Sequence, residues 1–204
     1  MERYAEQYLR ECGEILRAIQ ADGIDEIVNC LHELTGRLFI VGVGGSAATA
    51  SHAVNDLRKL CGIEAYCPTD NVAELTARTN DEGWRYALSG WLVASYLSSR
   101  DAILVLSVGG GDREKDVSTC LIEAIDLAVA RGAKVLGIVG RDGGYTAQKA
   151  DVCIVIPPLH PERVTPHTEG ICSVLMHLIV SHPSLQKEKA KWESVQSSLT
   201  ATGR

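Results

Sequence analysis

Two side chains that could bind a metal ion or move a proton stand four residues apart in this chain, at His52 and Asp56. The pattern over 46–60 predicts a helix, and residues four apart lie on one face of a helix. An imidazole and a carboxylate that converge in this way can hold a divalent cation or take part in acid–base chemistry. Taken alone, the pair is more typical of an ordinary ion pair on a helix surface.

A glycine-rich turn stands directly before this helix, where the apolar segment 38–41 runs into Gly42-Val-Gly-Gly-Ser46. Glycine lets the backbone approach a ligand closely, and the free N–H groups at a helix start favour an anion. We therefore expect Gly44, Gly45 and Ser46 to contact an anionic ligand. A plain strand-to-helix turn without a ligand is the alternative.

The same turn also fits a dinucleotide-binding fingerprint, because Gly42-x-Gly44-x-x-Ala47 has its form. Glu64 stands 22 residues after Gly42, where an acid that binds a ribose would be expected. A nicotinamide-dependent oxidoreductase is therefore a second class of function that the sequence leaves open.

Apolar segments that alternate with helical patterns supply the scaffold for these residues. Near-continuous apolar strands between helices indicate a parallel sheet that is covered on both faces. We predict an α/β fold, a three-layer α-β-α sandwich of the flavodoxin-like type with roughly five parallel strands. The predicted strands are 38–41, 64–67, 102–106, 135–139 and 152–156.

The 204 residues and the 46% hydrophobic content fit a single domain over 1–204. Residues 1–36 are predicted to form a helical hairpin that breaks at Asp22-Gly23, and 37–182 the α/β core. Residues 183–204 form a tail, helical over 186–199. The hairpin either covers its own sheet or packs against a second copy of the chain.

Ligands of such sheets bind beyond the carboxyl ends of the strands, which selects the glycine-rich loops 42–46, 107–112 and 140–144. In the second loop, backbone N–H groups and one hydroxyl could face an anion. The aspartate at its end is equally suited to cap the next helix, predicted to begin at Lys115. The candidates in this loop are Ser107, Gly109, Gly110, Gly111 and Asp112.

Composition excludes several classes of function. The formal net charge of −6 disfavours binding to nucleic acid, which requires a basic surface. The cysteine count is odd, seven, and without a CxxC pair, which favours free thiols in a reducing, cytoplasmic compartment. Since no apolar run approaches the roughly 20 residues of a membrane span, we expect no contact with a membrane.

The segment from Gly42 to Leu57 resembles the strand–loop–helix of SIS-domain phosphoheptose isomerases, which reads GNGGSAxDAQHxAxEL. Leu75 to Asp81 is similar to the family's LTAxxND, and Gly140 to Gly144 to its TGRDGG. Thr165 to Glu169, followed by His177, is similar to TxRIQ and a histidine eight residues later. Because these motifs fall in one order over roughly residues 1–182, the chain is identified as a divergent member of that family.

The resemblance implies an aldose–ketose isomerase that acts on sedoheptulose 7-phosphate or a close relative, assembled as a homo-oligomer and expected to be a tetramer. It implies that His52, Asp56, Glu169 and His177 form a set suited to zinc or another divalent metal. Asp56 or Glu169 would be the base, and His177 the acid. Eight helical residues rise about 12 Å, so Glu169 and His177 share one ion only if both reach toward its midpoint.

The resemblance also places Asn80 and Asp81 near the sugar. His167, which a plain capped helix start leaves unexplained, is a candidate for contact with the substrate or with a neighbouring subunit. The loop 107–112 departs from the family, whose STSGNS offers a cluster of hydroxyls at this point, and keeps Ser107 alone. A non-catalytic SIS module that binds a sugar phosphate is therefore the alternative function.

Overall fold

The computed structural model describes residues 2–195 and forms three layers, with a parallel sheet between two layers of helices. The strands are β1 (Leu38–Val41), β2 (Ala65–Tyr66), β3 (Ala102–Ser107), β4 (Lys134–Val139) and β5 (Val152–Val155). The helices are α1 (Tyr4–Ala18), α2 (Ala21–His32), α3 (Gly45–Asp56), α4 (Val72–Asp81), α5 (Trp84–Ala94), α6 (Thr119–Ala130), α7 (Gly144–Lys149) and α8 (Val164–Val180).

The five strands pair in the order β2-β1-β3-β4-β5, all parallel, which confirms the predicted fold class. All six residues of β3 are buried, as expected for a central strand covered on both faces. The strand order reverses between β1 and β3, and in such sheets the crevice for ligands opens at that point. The loop after β1 leads into α3, and the loop after β3 leads into α6.

Two hydrophobic cores lie on the two faces of the sheet. Leu38 and Ile40 of β1 face the core that α1, α2, α3 and α8 cover, whereas Phe39 and Val41 face the core under α5 and α6. This alternation follows from the two-residue period of a strand. Ile15 of α1 is buried in the first core, so the N-terminal hairpin covers its own sheet.

Two predicted boundaries are wrong. The hairpin breaks at 19–20, and Gly23 lies inside α2, because burial of Ile24 and Ile27 outweighs the roughly 1 kcal/mol that a glycine costs in a helix. Helix α6 begins at Thr119 and not at Lys115. The chain before it makes a turn in which the residues at 112 and 117 exchange two backbone hydrogen bonds of 3.0 Å.

The helix predicted at 186–199 is present over 191–195, whereas 186–190 are not helical and that part of the prediction is wrong; 196–199 lie outside the described residues. Within residues 2–195, no helix combines the length and apolarity that crossing a membrane requires. All seven cysteines carry free thiols.

Candidate active site

His52, Asp56 and His177 meet at the seam between α3 and α8. Asp56 Oδ2 lies 3.4 Å from His52 Nε2 and 3.6 Å from His177 Nδ1. The two imidazole rings stand edge to face, with their centroids 5.1 Å apart. Among the described residues, this is the one group of three metal-binding side chains whose ligand atoms all lie within 4.8 Å of one another.

Local sequence explains why these side chains converge. His52 and Asp56 occupy successive turns of one face of α3, and the buried Ala50 and Ala53 present small side chains to the protein interior. On α8, Leu175 and Met176 are buried in the same core, which leaves His177 at the surface beside Asp56. Helix α3 then passes into a π-helical turn at Leu57–Cys61, a local structure that is frequent near functional sites.

The cluster is open on one side. The side chain of Asp56 is 14% exposed, whereas those of His52 and His177 are 54% and 57% exposed. Asp56 Oδ1 accepts a hydrogen bond of 2.8 Å from Asn55 Nδ2, which leaves Oδ2 turned toward both imidazoles. A ligand can therefore approach the two histidines from solvent while the carboxylate is held in place.

The donor set fits a divalent cation. Ligand atoms of a tetrahedral zinc ion at about 2.0–2.1 Å lie about 3.4 Å from one another. The measured separations of 3.4 Å and 3.6 Å match that edge. Two imidazole nitrogens and one carboxylate oxygen, with a fourth position open to solvent, are the usual set of a catalytic zinc site.

Glu169 stands apart from this cluster, at the other end of the seam. A Cβ at Gly45, the first residue of α3, would lie 2.5 Å from the carboxylate carbon of Glu169, so the end of this side chain lies directly against the start of α3. His177 is eight residues, or about 12 Å, further along α8. The prediction of Glu169 as a fourth ligand is therefore wrong for this arrangement, because α8 is a regular helix between the two residues.

The turn after β1 carries the predicted anion-binding residues. Gly44 and Gly45 are exposed, and Ser46 is buried in the first turn of α3. The carbonyl of Gly44 accepts the N–H groups of Ala47 and Ala48. The carboxylate of Glu169 stands beside this turn, where the helix dipole favours negative charge, so an anion that binds there meets a like charge.

In the loop after β3, two of the predicted backbone donors are already engaged. Ser107 Oγ accepts the N–H groups of Gly109 at 3.4 Å and Gly110 at 3.0 Å. Asp112 accepts two backbone N–H groups and pairs with Lys115 at 2.7 Å, so it caps the turn and not a helix. The expectation that Gly109 and Gly110 offer N–H groups to a ligand is wrong, since the buried Ser107 takes both; Gly111 contributes its carbonyl to Tyr145.

Comparison with known proteins identifies the family. No family model matches the chain. The phosphoheptose isomerase of Geotalea daltonii is 30% identical over 164 residues, which cover 76% of this chain and 82% of that protein. The chain belongs to the phosphoheptose isomerase family. The structure of phosphoheptose isomerase GmhA from Neisseria gonorrhoeae superimposes with a TM-score of 0.71 at 24% identity over 87% of this chain and 98% of that one.

Another protein similar to this chain is longer than it. The lincomycin biosynthesis protein LmbN of Streptomyces lincolnensis is 36% identical over 158 residues, which cover 72% of this chain. The match covers 56% of LmbN, so the chain spans little more than half the length of that relative.

In this phosphoheptose isomerase family member, His167 is not a candidate substrate ligand, contrary to the prediction. It is 2% exposed, with Nε2 at 2.8 Å from Glu11 Oε2 and Nδ1 at 3.5 Å from Cys12 Sγ. Arg163 donates two hydrogen bonds to the same carboxylate and holds the pKa of Glu11 well below its usual range, although burial opposes this. These contacts of Glu11 with Arg163 and His167 hold α1 against the start of α8. The sequence did not indicate this role of Glu11, because a glutamate is an ordinary residue on the polar face of an amphipathic helix.

The other predicted residues lie outside the cluster. Asn80 and Asp81 are exposed at the end of α4, where Asn80 Nδ2 donates a hydrogen bond of 2.7 Å to Asp81 Oδ1. Glu64 precedes β2 and accepts a hydrogen bond from Tyr66. It therefore lies at the amino end of the sheet, opposite the glycine-rich turn, which removes the structural basis of the dinucleotide fingerprint.

Proposed function

We propose that this chain is an aldose–ketose isomerase that converts sedoheptulose 7-phosphate, or a closely related ketose phosphate, into the aldose heptose phosphate. The observation that carries the proposal is the cluster of His52, Asp56 and His177 in a member of the phosphoheptose isomerase family. The substrate comes from the names of the relatives, while the type of reaction also follows from the groups in the cluster.

The reaction moves one proton from C1 of the ketose to C2 of the aldose through an enediol, so it needs a base beside carbon and an acid beside oxygen. Asp56 is the carboxylate of the cluster and is oriented by Asn55, which suits it to remove the C1 proton. His177 Nδ1 faces Asp56, and His177 Nε2 has no partner among the described residues. That nitrogen is free to exchange a proton with the substrate oxygen.

We propose that His52, Asp56 and His177 hold a divalent metal, expected to be zinc. When bound, the cation would act as a Lewis acid on the substrate carbonyl. The position of Glu169, about 12 Å along α8 from His177, favours Asp56 over Glu169 as the base. Glu169 then stands at the turn after β1, where its carboxylate would repel the phosphate at the far end of the substrate.

We further propose a homo-oligomer, with a tetramer as the expected assembly, in which a second copy covers the open side of the cluster. Val174 lies one turn before His177 on α8 and is 48% exposed, and Leu178 beside it is 41% exposed. Burial of these apolar side chains by a second copy would also screen the site from water. The seven free thiols support the proposal that the protein works in the reducing cytoplasm.

One observation favours a second candidate, a non-catalytic module that binds a sugar phosphate. The one hydroxyl of the loop 107–112 belongs to Ser107, and its oxygen accepts two N–H groups of the same loop. Such a loop could bind a sugar phosphate with few hydrogen bonds to its phosphate group, which fits binding without turnover.

Turnover of sedoheptulose 7-phosphate, with and without added zinc, separates the two candidates. The isomerase should form an aldose phosphate, and Asp56→Asn and His177→Ala should each lower kcat by at least about 100-fold, since positioned acid–base groups contribute that much. His182→Ala, which removes another histidine just beyond α8, serves as the matched control. Normal turnover in either cluster variant would refute the assigned roles, and binding without turnover would support the module.

A further inference from the structure

A thiol, an imidazole and a carboxylate stand in line where α1 packs against the start of α8. Cys12 Sγ lies 3.5 Å from His167 Nδ1, and His167 Nε2 lies 2.8 Å from Glu11 Oε2. Each ring nitrogen of His167 therefore faces one of the two other groups. A nucleophile, a base beside it and a third group that orients the base are the parts of an activated nucleophile.

The charge of Glu11 decides which ring nitrogen of His167 carries a proton. Arg163 donates two hydrogen bonds to the Glu11 carboxylate, at 2.8 Å and 2.6 Å, and lowers the pKa of Glu11. An ionised carboxylate can only accept, so His167 Nε2 must donate to it. In the neutral imidazole this leaves Nδ1 as an acceptor, and Nδ1 is the nitrogen that faces the thiol of Cys12.

Packing holds the imidazole in this orientation. His167 and Glu11 are buried, and the ring of Tyr8 lies against the ring of His167 with the centroids 4.5 Å apart. Gln7 donates a further hydrogen bond of 2.9 Å to Glu11. Cys12 is partly exposed, so a small reagent can reach the sulphur from solvent while the base beside it stays shielded.

The other thiols lack such a base. Cys30 and Cys153 are also partly exposed, and the remaining four cysteines are buried. Burial raises the pKa of Cys12, as it does that of Cys30 and Cys153, so all three are neutral thiols at rest. Among the described residues, Cys12 is the one cysteine whose sulphur lies within hydrogen-bond distance of a histidine. What distinguishes Cys12 is therefore a base that can take its proton as the sulphur reacts.

We propose that Cys12 is a modification site, at which a peroxide oxidises the thiol to a sulfenic acid with His167 as the base. The thiol gives its proton to His167 Nδ1, and the sulphur attacks one oxygen of the peroxide. The S–O bond forms as the O–O bond breaks, and the leaving oxygen takes the proton from His167. The sulphur loses two electrons and the peroxide gains them, while Glu11 stabilises the imidazolium that forms in between. With hydrogen peroxide, the products are the sulfenic acid and water.

This site is separate from the proposed isomerase cluster. His167 lies ten residues, or about 15 Å, before His177 on α8, which is a regular helix between them. The oxidation is measured by labelling of the sulphur and not by turnover. The proposal for Cys12 and the proposed isomerase function can therefore fail independently.

Oxidation of the full chain by hydrogen peroxide tests the proposal. A 1,3-dione probe traps each sulfenic acid as it forms, and mass spectrometry resolves the label at each cysteine. In the wild type, label should appear at Cys12 at least about 10-fold faster than at Cys30 or Cys153, because a positioned base contributes about 100-fold or more. Label at Cys30 or Cys153 that appears as fast as at Cys12 would overturn the proposal, whatever the variants show.

Two histidine variants separate the base from the packing around it. His167→Gln removes the base and should slow the labelling of Cys12 at least about 10-fold. His160→Gln makes the same change at a ring whose centroid lies 6.0 Å from that of His167, and it should leave the rate unchanged. An unchanged rate in His167→Gln, or equal slowing in both variants, would overturn the proposal.

The buried Cys172 reports whether a variant has loosened, because it takes up label only if the fold opens. If Cys172 of His167→Gln is labelled, Glu11→Gln takes its place. That variant keeps the imidazole and removes the charge that stabilises the imidazolium, so labelling of Cys12 should again be slower than in the wild type. A rate in Glu11→Gln equal to that of the wild type would then overturn the proposal.

Discussion

Replacement of Asp56 by asparagine should remove most of the stabilisation of the protein by zinc. The carboxylate stands between the two imidazoles, with Oδ2 at 3.4 Å and 3.6 Å from their facing nitrogens. The amide of the Asp56→Asn variant would keep the shape of the side chain but lose the negative charge that offsets the cation. Substitutions of residues that merely orient metal ligands lower metal affinity by about 10–100-fold, so loss of Asp56, a ligand itself, should lower it by at least about 100-fold.

The size of the effect follows from linkage. A ligand at 100 times its dissociation constant stabilises the folded state by about 2.7 kcal/mol. Since 1 kcal/mol corresponds to about 2–4 °C in a chain of this length, zinc should raise the Tm of the wild type by about 5–11 °C. A 100-fold weaker site at the same zinc concentration retains about 0.4 kcal/mol, which is a shift of about 1–2 °C.

The assay is thermal unfolding at matched zinc concentrations, before and after addition of a chelator. Asp25→Asn is the matched control, because Asp25 is an exposed aspartate on α2 that lies outside the cluster. All seven cysteines remain in both variants, so binding of zinc to thiols of the unfolded chain affects them equally. A zinc-dependent rise in Tm that survives in Asp56→Asn, or that the wild type lacks, would refute the assignment of this metal site.

Three further outcomes are expected. Glu169→Gln should lower the KM for the sugar phosphate about 5-fold in initial-rate assays, because a like charge about 4 Å from an anion costs about 1 kcal/mol in water; an unchanged KM would place the phosphate elsewhere. Gly45→Ala should change the free energy of unfolding by less than about 1 kcal/mol, because the carboxylate of Glu169 ends a flexible side chain and can move aside; a loss of about 3 kcal/mol in thermal unfolding would contradict this. Arg163 lowers the pKa of Glu11 in the folded protein below its ordinary 4.5. The stabilisation that this ion pair gives is therefore present above about pH 4.5 and is lost as the pH falls toward the pKa of Glu11 in the folded state. In urea unfolding, Glu11→Gln should have a lower free energy of unfolding than Glu26→Gln at pH 7, and this difference should shrink as the pH is lowered to 3.5. A difference that stays constant would count against the ion pair.

The sheet was predictable because its strands are continuous apolar runs, and β1 and β3 lie where 38–41 and 102–106 predicted them. The pairing of His52 with Asp56 followed equally directly, since spacing within one helix fixes which side chains share a face. The approach of His177 to that pair depends on how α8 packs against α3. The prediction that His177 lies near this pair came from the resemblance to the family and not from the spacing of residues in one helix.

The wrong predictions concern contacts between elements distant in sequence. Nothing local to His167 indicates that α1 brings Glu11 and Cys12 against it, so a buried histidine was predicted to contact a ligand. The donors of Gly109 and Gly110 were expected to face outward, because the length of the loop does not reveal that Ser107 folds back beneath them. The position of Glu169 on Gly45 depends on the relative shift of α3 and α8, which residue spacing in one helix does not specify.

Proton exchange at the substrate carbons tests the central claim, that Asp56 and His177 interconvert a ketose phosphate and an aldose phosphate through an enediol. Sedoheptulose 7-phosphate is incubated in D₂O with the zinc-loaded protein, and the products are observed by proton NMR. The wild type and His182→Ala should form an aldose heptose phosphate that carries deuterium at C2, whereas Asp56→Asn and His177→Ala should give neither product nor exchange. A wild-type protein that binds the sugar phosphate but forms no aldose and exchanges no proton would contradict these roles of Asp56 and His177.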